Sequence, residues 1–499
     1  MKTRTLLIVG FYAVCVLGLR AGAAESTAAD AQEAMKKSLV YMEVSSYGYD
    51  LRMPWRHTDI SQRSCYGVAV GEYEVLTTAW NVRDAGFVKV RRFGQNEFVK
   101  GAVKVVDYES NLCLIEIDPN EAKGGMRAAE FAADYEKGAE VRCYWLGANG
   151  RVESGRGFID RAEVYKSTAS FEKFLNYVVA SASQRTSLGQ VYCLGDEPIG
   201  IACWSNDNKE AGLVPAETIK RFLEDVKKGE YRGFGAVGFV TSNLIDPAMR
   251  AYLKMPESVK NGVYVNDVYT IGTGSDVLKA EDVVLAIDGL EIDAYGRFSH
   301  PQYEELSLKY LVTSRRAGDE LTFEVWRQGE RAEVKVEVKG IKASQMLVPY
   351  YEYDKQPEYV VSGGFIFQKL TRKYMQQWGQ QWSGRVSPHL YYYYRDMAFK
   401  PKDQRRDIVI LSYVLPAEIN LGYKDMGQAV VTKFNGLQVR SIADIVAAQK
   451  AEPDSDYDVV EFEMDNPKVV IPRGQLAAAD AMIARNYGIG KPVNIGTKY

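Results

Sequence analysis

Any chemistry done by this chain has to draw on a small stock of reactive side chains. Its 499 residues include three histidines, His57, His300 and His389, and six cysteines. Neither set shows C-x-x-C or a metal-ligand spacing, so no metal and no cofactor is expected. Cys15 lies in an apolar N-terminal run, which leaves Cys65, Cys113, Cys143, Cys193 and Cys203 for the mature protein. That odd number sits inside apolar strand patterns rather than in loops and reads as small buried thiols. The chain has 33 tyrosines, with clusters in the C-terminal third, notably Tyr350, Tyr351, Tyr353 and Tyr391 to Tyr394. Tyr combines apolar area with a polar tip and serves contact surfaces and β-packing alike.

Those side chains sit on recognisable elements. Lys2 and Arg4, the apolar run 6–19 and the small residues Ala21-Gly22-Ala23-Ala24 have the layout of a secretory leader, so residues 1–24 are expected to be removed on export. The destination is expected to be periplasmic or extracellular, and no stretch of the mature chain is long and apolar enough for a membrane helix. The net charge of −3 gives no basic surface for nucleic acid. From 25 to 231 short apolar stretches alternate with turns, as in Gly67-Val68-Ala69-Val70 and Leu112-Cys113-Leu114-Ile115-Glu116-Ile117, the pattern of a barrel or sandwich. A helix at 216–228 closes this barrel domain, entered through Pro215 and stopped by Gly229.

A middle domain is expected at 232–340. It opens with Gly233-Phe234-Gly235-Ala236 and continues with strands at 237–240, 262–265 and 282–287, a helix at about 302–314, and a closing strand pair at 321–338. That order is similar to a bacterial-type PDZ domain. A C-terminal domain at 359–499 repeats it weakly: Val263-Tyr264-Val265-Asn266 parallels Val409-Ile410-Leu411-Ser412, and Ile287-Asp288-Gly289-Leu290 parallels Phe434-Asn435-Gly436-Leu437, at nearly matched spacing. Residues 341–358 read as a linker and 376–406 as an insertion. The fold class is therefore mainly β, with a first domain that resembles a trypsin-like double β-barrel followed by two PDZ-like α+β domains.

Three blocks of the barrel domain resemble the HtrA/Deg family of trypsin-like proteases, and the resemblance runs on through both PDZ-like domains. The end of the chain, Asp465-Asn466-Pro467-Lys468-Val469-Val470-Ile471 and a helix near 477–486, resembles the plant-type Deg branch. Where the family has I-L-T-N-N-H-V, this chain has Val75-Leu76-Thr77-Thr78-Ala79-Trp80-Asn81, with Trp80 at the His position. Where it has D-x-x-T-D-L-A-L, this chain has Asp107-Tyr108-Glu109-Ser110-Asn111-Leu112-Cys113-Leu114, with Asn111 at the Asp position. Where it has G-N-S-G-G-P-L, this chain has Arg185-Thr186-Ser187-Leu188-Gly189-Gln190-Val191, with Ser187 in register.

Each change has a physical consequence. A serine attacks only when a neighbour takes its proton, and indole nitrogen is a donor only. Asn in place of the triad Asp costs about 10⁴ in kcat in the worked serine-protease case. Arg185 and Leu188 replace glycines that let backbone N–H groups face the oxyanion. No histidine lies between His57 and His300. The resemblance thus implies a degenerate triad and a non-enzymatic role as a peptide- or protein-binding scaffold. The alternative is an active serine endopeptidase with a non-standard base, His57 or a lysine.

The PDZ resemblance implies the positive function. A glycine-rich turn presents N–H groups to a peptide's C-terminal carboxylate while the peptide adds as a strand. The implied binding residues are Arg232, Gly233, Phe234, Gly235, Ala236, Val237 and Phe239, with Leu308 on the groove helix. In the C-terminal domain the equivalent turn would be Gly363-Gly364-Phe365-Ile366. The implied partners are protein C-termini of unfolded or envelope proteins, and the family resemblance implies a homo-oligomer, a trimer.

Overall fold

A computed structural model of the chain describes residues 33–496, apart from 34, 123, 182–185, 452–454 and 465–466. The leader, Cys15, Arg185, Asp465 and Asn466 lie outside the described residues. Two compact units emerge. The first comprises the chain to Ser45, Gln62–Gly233 and Ser299–Tyr310; the second comprises Ser46–Ser61, Phe234–Phe298 and Leu311–Tyr499.

The barrel domain is a pair of closed six-stranded barrels. The first holds β1 (Leu39–Ser46), β2 (Ser61–Ala69), β3 (Glu74–Thr77), β4 (Ala85–Arg92), β5 (Val99–Asp107) and β6 (Leu112–Ile117), in the order β1-β2-β3-β6-β5-β4. The second holds β7 (Glu140–Leu146), β8 (Val152–Lys166), β9 (Lys173–Ser181), β10 (Val191–Leu194), β11 (Glu197–Ser205) and β12 (Glu210–Pro215), in the order β10-β11-β12-β9-β8-β7. Strand alternation sends Val75, Val88, Val90, Ile115 and Ile117 into the first barrel's core. One turn of helix, α1 (Ala79–Val82), follows β3, and α2 (Ala216–Lys227) closes the domain. Ile219 and Phe222 on α2 are fully buried; each contributes roughly 1.5–3 kcal/mol by leaving water.

The middle domain contributes β13 (Phe239–Ser242), α3 (Pro247–Tyr252), β14 (Val263–Val268), β15 (Val283–Ile287), β16 (Leu290–Glu291), β17 (Arg297–His300), β18 (Glu304–Ser307), α4 (Lys309–Thr313), β19 (Glu320–Arg327) and β20 (Glu330–Glu337). Its sheet runs β13-β14-β15-β19-β20, so β13 is an edge. The helix expected at 302–314 is corrected. Residues 304–307 are extended and pair with β17, leaving five helical residues. Glu304 takes a left-handed φ of 63°, which ends any helix there. Ser299–Tyr310 joins the first compact unit, where the Tyr303 hydroxyl shares a 2.9 Å hydrogen bond with Tyr177 and its ring lies 5.2 Å from Tyr135. Tertiary packing overrides the local periodicity.

The C-terminal domain contributes β21 (Tyr359–Ser362), β22 (Phe365–Lys369), α5 (Arg372–Met375), α6 (Pro388–Tyr392), β23 (Val409–Val414), β24 (Ala429–Phe434), β25 (Leu437–Gln438), α7 (Ile442–Ala451), β26 (Tyr457–Phe462), β27 (Val469–Pro472), α8 (Arg473–Tyr487) and β28 (Val493–Asn494). Its sheet runs β27-β26-β24-β23-β22-β21-β28. The expected linker is packed rather than loose: Met346, Leu347 and Val348 are buried, and Leu347 N–H donates to Ala398 O at 2.8 Å. The insertion reaches the middle domain, where Phe399 stacks on Tyr269 at 4.7 Å and Lys400 pairs with Asp267. Among the described residues, no helix is long and apolar enough to cross a membrane.

Candidate functional site

The structure brings positions 80 and 111 together. The Trp80 N–H donates to Asn111 Oδ1 at 2.9 Å, and Ala79 N–H donates to Asn111 O at 3.1 Å. The bond is made by the Trp80 backbone N–H and the Asn111 side-chain amide. Asn111 is 3% exposed and left-handed at φ 59°. Its Nδ2 donates to Thr168 Oγ1 at 3.1 Å, so both ends of the amide are engaged. The turn leading to it is set by Asp107, which accepts from Glu109 N at 2.9 Å, from Ser110 Oγ at 2.8 Å and from the Tyr231 hydroxyl. Burial raises the Asp107 carboxyl above the ordinary carboxylate range. The Arg83 guanidinium lies 3.5 Å from the Trp80 ring centroid. A donor-only ring held beneath a cation cannot take a proton from serine.

The Ser187 loop joins the same region, since Asn81 Nδ2 donates to Leu188 O at 3.2 Å. Gly189 turns the loop with φ 87°; a Cβ there would lie 2.0 Å from Tyr66 O, so no larger residue fits. In serine proteases the nucleophile's own N–H is an oxyanion donor. Here Ser187 N–H donates to Gln190 Oε1 at 3.1 Å, and Gln190 is 2% exposed, a fixed acceptor rather than a mobile one. Among the described residues, no imidazole or amine nitrogen hydrogen-bonds the Ser187 hydroxyl. His57 belongs to the second compact unit, its ring 4.6 Å from those of both Tyr47 and Tyr49. His300 stacks on Tyr303 at 4.4 Å, and burial lowers its pKa. Cys65, Cys113, Cys143, Cys193 and Cys203 are buried thiols, with burial pushing those of Cys65 and Cys203 up to about 12. Sequence reasoning missed Asn81 and Gln190, whose partners are fixed by loop geometry.

The expected peptide-binding residues divide. Arg232, Gly233 and Leu308 belong to the first compact unit, whereas Phe234, Gly235, Ala236, Val237 and Phe239 belong to the second. Two donors assigned to the turn are corrected. Gly235 N–H donates to Arg315 O and Ala236 N–H to Lys339 O, both at 2.9 Å. The backbone facing the open edge lies further along. Tyr269 N–H donates to Gly238 O at 2.8 Å, which points Gly238 at β14. By strand alternation Phe239 then turns its N–H and C=O to the free edge of β13. Gly238 allows this path, because a Cβ there would sit 2.7 Å from Thr273 O and 2.8 Å from Gly272 C. The glycine in Val237-Gly238-Phe239 was the signal in the sequence; the more crowded Gly233-Gly235 pair drew attention from it.

The C-terminal domain handles the equivalent edge differently. β21 pairs along β22, from Tyr359 opposite Gln368 to Ser362 opposite Phe365, and β28 pairs in turn with β21. At the expected carboxylate turn, Gly363 N–H donates to Asp480 Oδ1 on α8 at 2.7 Å. Asn420 Nδ2 donates to Gly363 O and to Leu415 O, both at 2.8 Å. A side-chain carboxylate of the chain itself therefore occupies the donor that a peptide terminus would seek, and burial raises its pKa.

Comparison with known proteins agrees with this architecture. A family model described as a PDZ domain matches residues 348–494. The chain is similar to "Protease Do-like 2, chloroplastic" of Arabidopsis thaliana, 27% identical over 88% of this chain and 72% of that protein. It is also similar to "Putative protease Do-like 3, mitochondrial" of the same plant, 25% identical over 84% and 72%. A solved structure described as "HtrA-type protease AlgWS227A with decapeptide" matches at 15% identity and a TM-score of 0.48, over 62% of this chain and 96% of that one. Residues 348–494 thus match a PDZ domain, and the chain is similar to Do-like proteases along most of its length.

Proposed function

We propose that this protein is a pseudoprotease: an exported HtrA/Deg-like scaffold that no longer hydrolyses peptides and binds protein C-termini along β13. One observation carries the first half. The position that needs an imidazole holds Trp80, and the position that needs a carboxylate holds Asn111, whose Oδ1 accepts from the Trp80 backbone N–H. The Ser187 N–H committed to Gln190 supports it independently, because an oxyanion would have to displace that bond. The open edge of β13 supports the second half, since an unpaired strand accepts an extended chain. The ligands are the C-termini of unfolded or envelope proteins, and the scaffold works as a homo-oligomer outside the cytoplasm.

The test is a fluorophosphonate probe with parallel degradation of unfolded casein. Neither labelling nor cleavage is expected; activity abolished by Ser187→Ala would sink the reading. The Trp80→His, Asn111→Asp double variant is expected to remain at least about 10²-fold below a working site, the typical worth of one oxyanion donor. Efficient turnover by that variant would show that Gln190 releases the Ser187 N–H.

A further inference from the structure

Within the first compact unit, the segment between the two barrels, the β10–β11 hairpin and the chain just before β1 enclose a cavity of about 430 Å³. That volume is in the range of small-molecule sites. Its charges are unbalanced: Glu130, Asp196 and Glu197 line it with a single guanidinium, Arg127. Among the described residues, none of these four side chains makes a hydrogen bond or an ion pair within the chain. Gly195, at φ 63°, turns the hairpin and leaves Asp196 at its tip, with Glu197 next to it opening β11. A cleft with one sign of charge in excess concentrates its field and attracts the opposite charge. A second feature points to an occupant. Ser38 lines the same cavity and is 1% exposed. Its main chain is already engaged, the N–H donating to Met35 O at 2.9 Å and the carbonyl accepting from Ala69 N–H at 2.7 Å. Its hydroxyl has no partner among the described residues, and a buried polar group is costly unless something bonds it. Between these polar points the wall is apolar, with Met35, Ala132 and Pro198.

We propose that this cavity binds a small aliphatic polyamine, its ammonium groups held by Glu130, Asp196 and Glu197, its methylenes on the apolar wall and one N–H donated to the Ser38 hydroxyl. Two observations select that class. Among the described residues, no three carboxylate, thiol or imidazole groups converge closely enough to hold a metal ion. The carboxylates therefore suit positive charge spread along a chain rather than a point cation, which needs its oxygens gathered within one coordination sphere. The wall also offers little to a peptide backbone. Arg127 N–H is spent on Lys37 O at 3.3 Å and Ala129 N–H on Ala69 O at 2.8 Å. A bound peptide would leave main-chain groups without partners, whereas a polyamine carries none. The site is independent of the β13 reading, since β13 belongs to the other compact unit.

The experiment is calorimetric titration of the full-length protein with spermidine at low ionic strength, where exposed charges are least screened. Saturable binding at one site is expected, and diacetylated spermidine is expected to bind at least about tenfold more weakly. The carboxylates are solvent-exposed, so each counts for little alone. Asp196→Asn and Glu197→Gln are each expected to weaken binding about threefold, and the pair about tenfold. Ser38→Ala is expected to cost about threefold, for one lost hydrogen bond, and Arg127→Gln to tighten binding about threefold by removing a like charge. Absence of saturable binding would overturn the proposal. So would equal displacement by calcium chloride, which would mean counterion screening only, or equal weakening by Glu257→Gln, an exposed carboxylate of the second compact unit. Tighter binding of an acetylated, amidated Lys-Gly-Lys peptide than of spermidine would make the occupant a polypeptide and overturn the class assigned.

Discussion

The middle and C-terminal domains run their strands in one order and treat the same edge in opposite ways. β13 ends its sheet, whereas its counterpart β22 is covered by β21, and β21 by β28. The turn at Gly363 is likewise filled by Asp480, while Phe239 turns its backbone outward. A shared topology thus leaves one domain able to accept a strand and supplies the other with its strand from within. On the proposed reading the first is the accepting edge and the second a packed module.

The sharpest way to break that contrast is a pair of single variants. Gly238→Ala forces a Cβ to within 2.7 Å of Thr273 O and is expected to shift the accepting edge, weakening peptide binding at least about tenfold. Asp480→Ala is expected to leave peptide affinity unchanged and to cost about 1 kcal/mol of stability, because Gly363 N–H loses its acceptor. A new carboxylate-dependent affinity in Asp480→Ala would show that the C-terminal domain is a masked site rather than a packed module.

A smaller effect is expected from ending the chain at Gly490. This removes β28, the Asn494 Nδ2 bond to Pro357 O at 2.8 Å and the Tyr359 hydroxyl's acceptor, Lys491 O at 2.7 Å. Hydrogen exchange at Tyr359 and Val360 is expected to quicken about tenfold, with the exchange of β13 unchanged. Equal loosening of β13 would tie the two edges together. The smallest effect is a pH dependence in the barrel domain, where no comparable edge is exposed. Burial raises the folded Asp107 pKa above 3.8, so the folded state binds the proton more tightly than the unfolded chain. Stability is therefore expected to fall as pH rises from about 4 through the raised pKa, and Asp107→Asn to flatten that slope in urea titrations.

Much of this was legible in the sequence because it is local. Short apolar runs between turns gave the strands of both barrels, and Pro215 with Gly229 bounded α2. Trp80 and Asn111 were legible because the blocks around them keep their spacing. The rest depends on partners far along the chain. Nothing near residue 359 announces that residues 493–494 will pair with it, and nothing in Gln302-Tyr303-Glu304 reports Tyr177. Gly238 was visible but ambiguous: its role depends on Gly272 and Thr273, which no short window contains.

The exchange of segments between the two compact units has a consequence for how the molecule is made. From the N-terminus the chain passes between them five times, lending Ser46–Ser61 to one and Ser299–Tyr310 to the other. Neither unit is complete until residues well beyond its main body have left the ribosome. Multidomain chains ordinarily fold one unit at a time from the N-terminus; here the last pieces of the first unit, Ser299–Tyr310, come after much of the second. Cuts at 231 or 340 would deliver fragments missing a piece of themselves. The segment Ser299–Tyr310, which packs with the barrel domain through Tyr303 on Tyr177, leaves the ribosome more than 60 residues after α2.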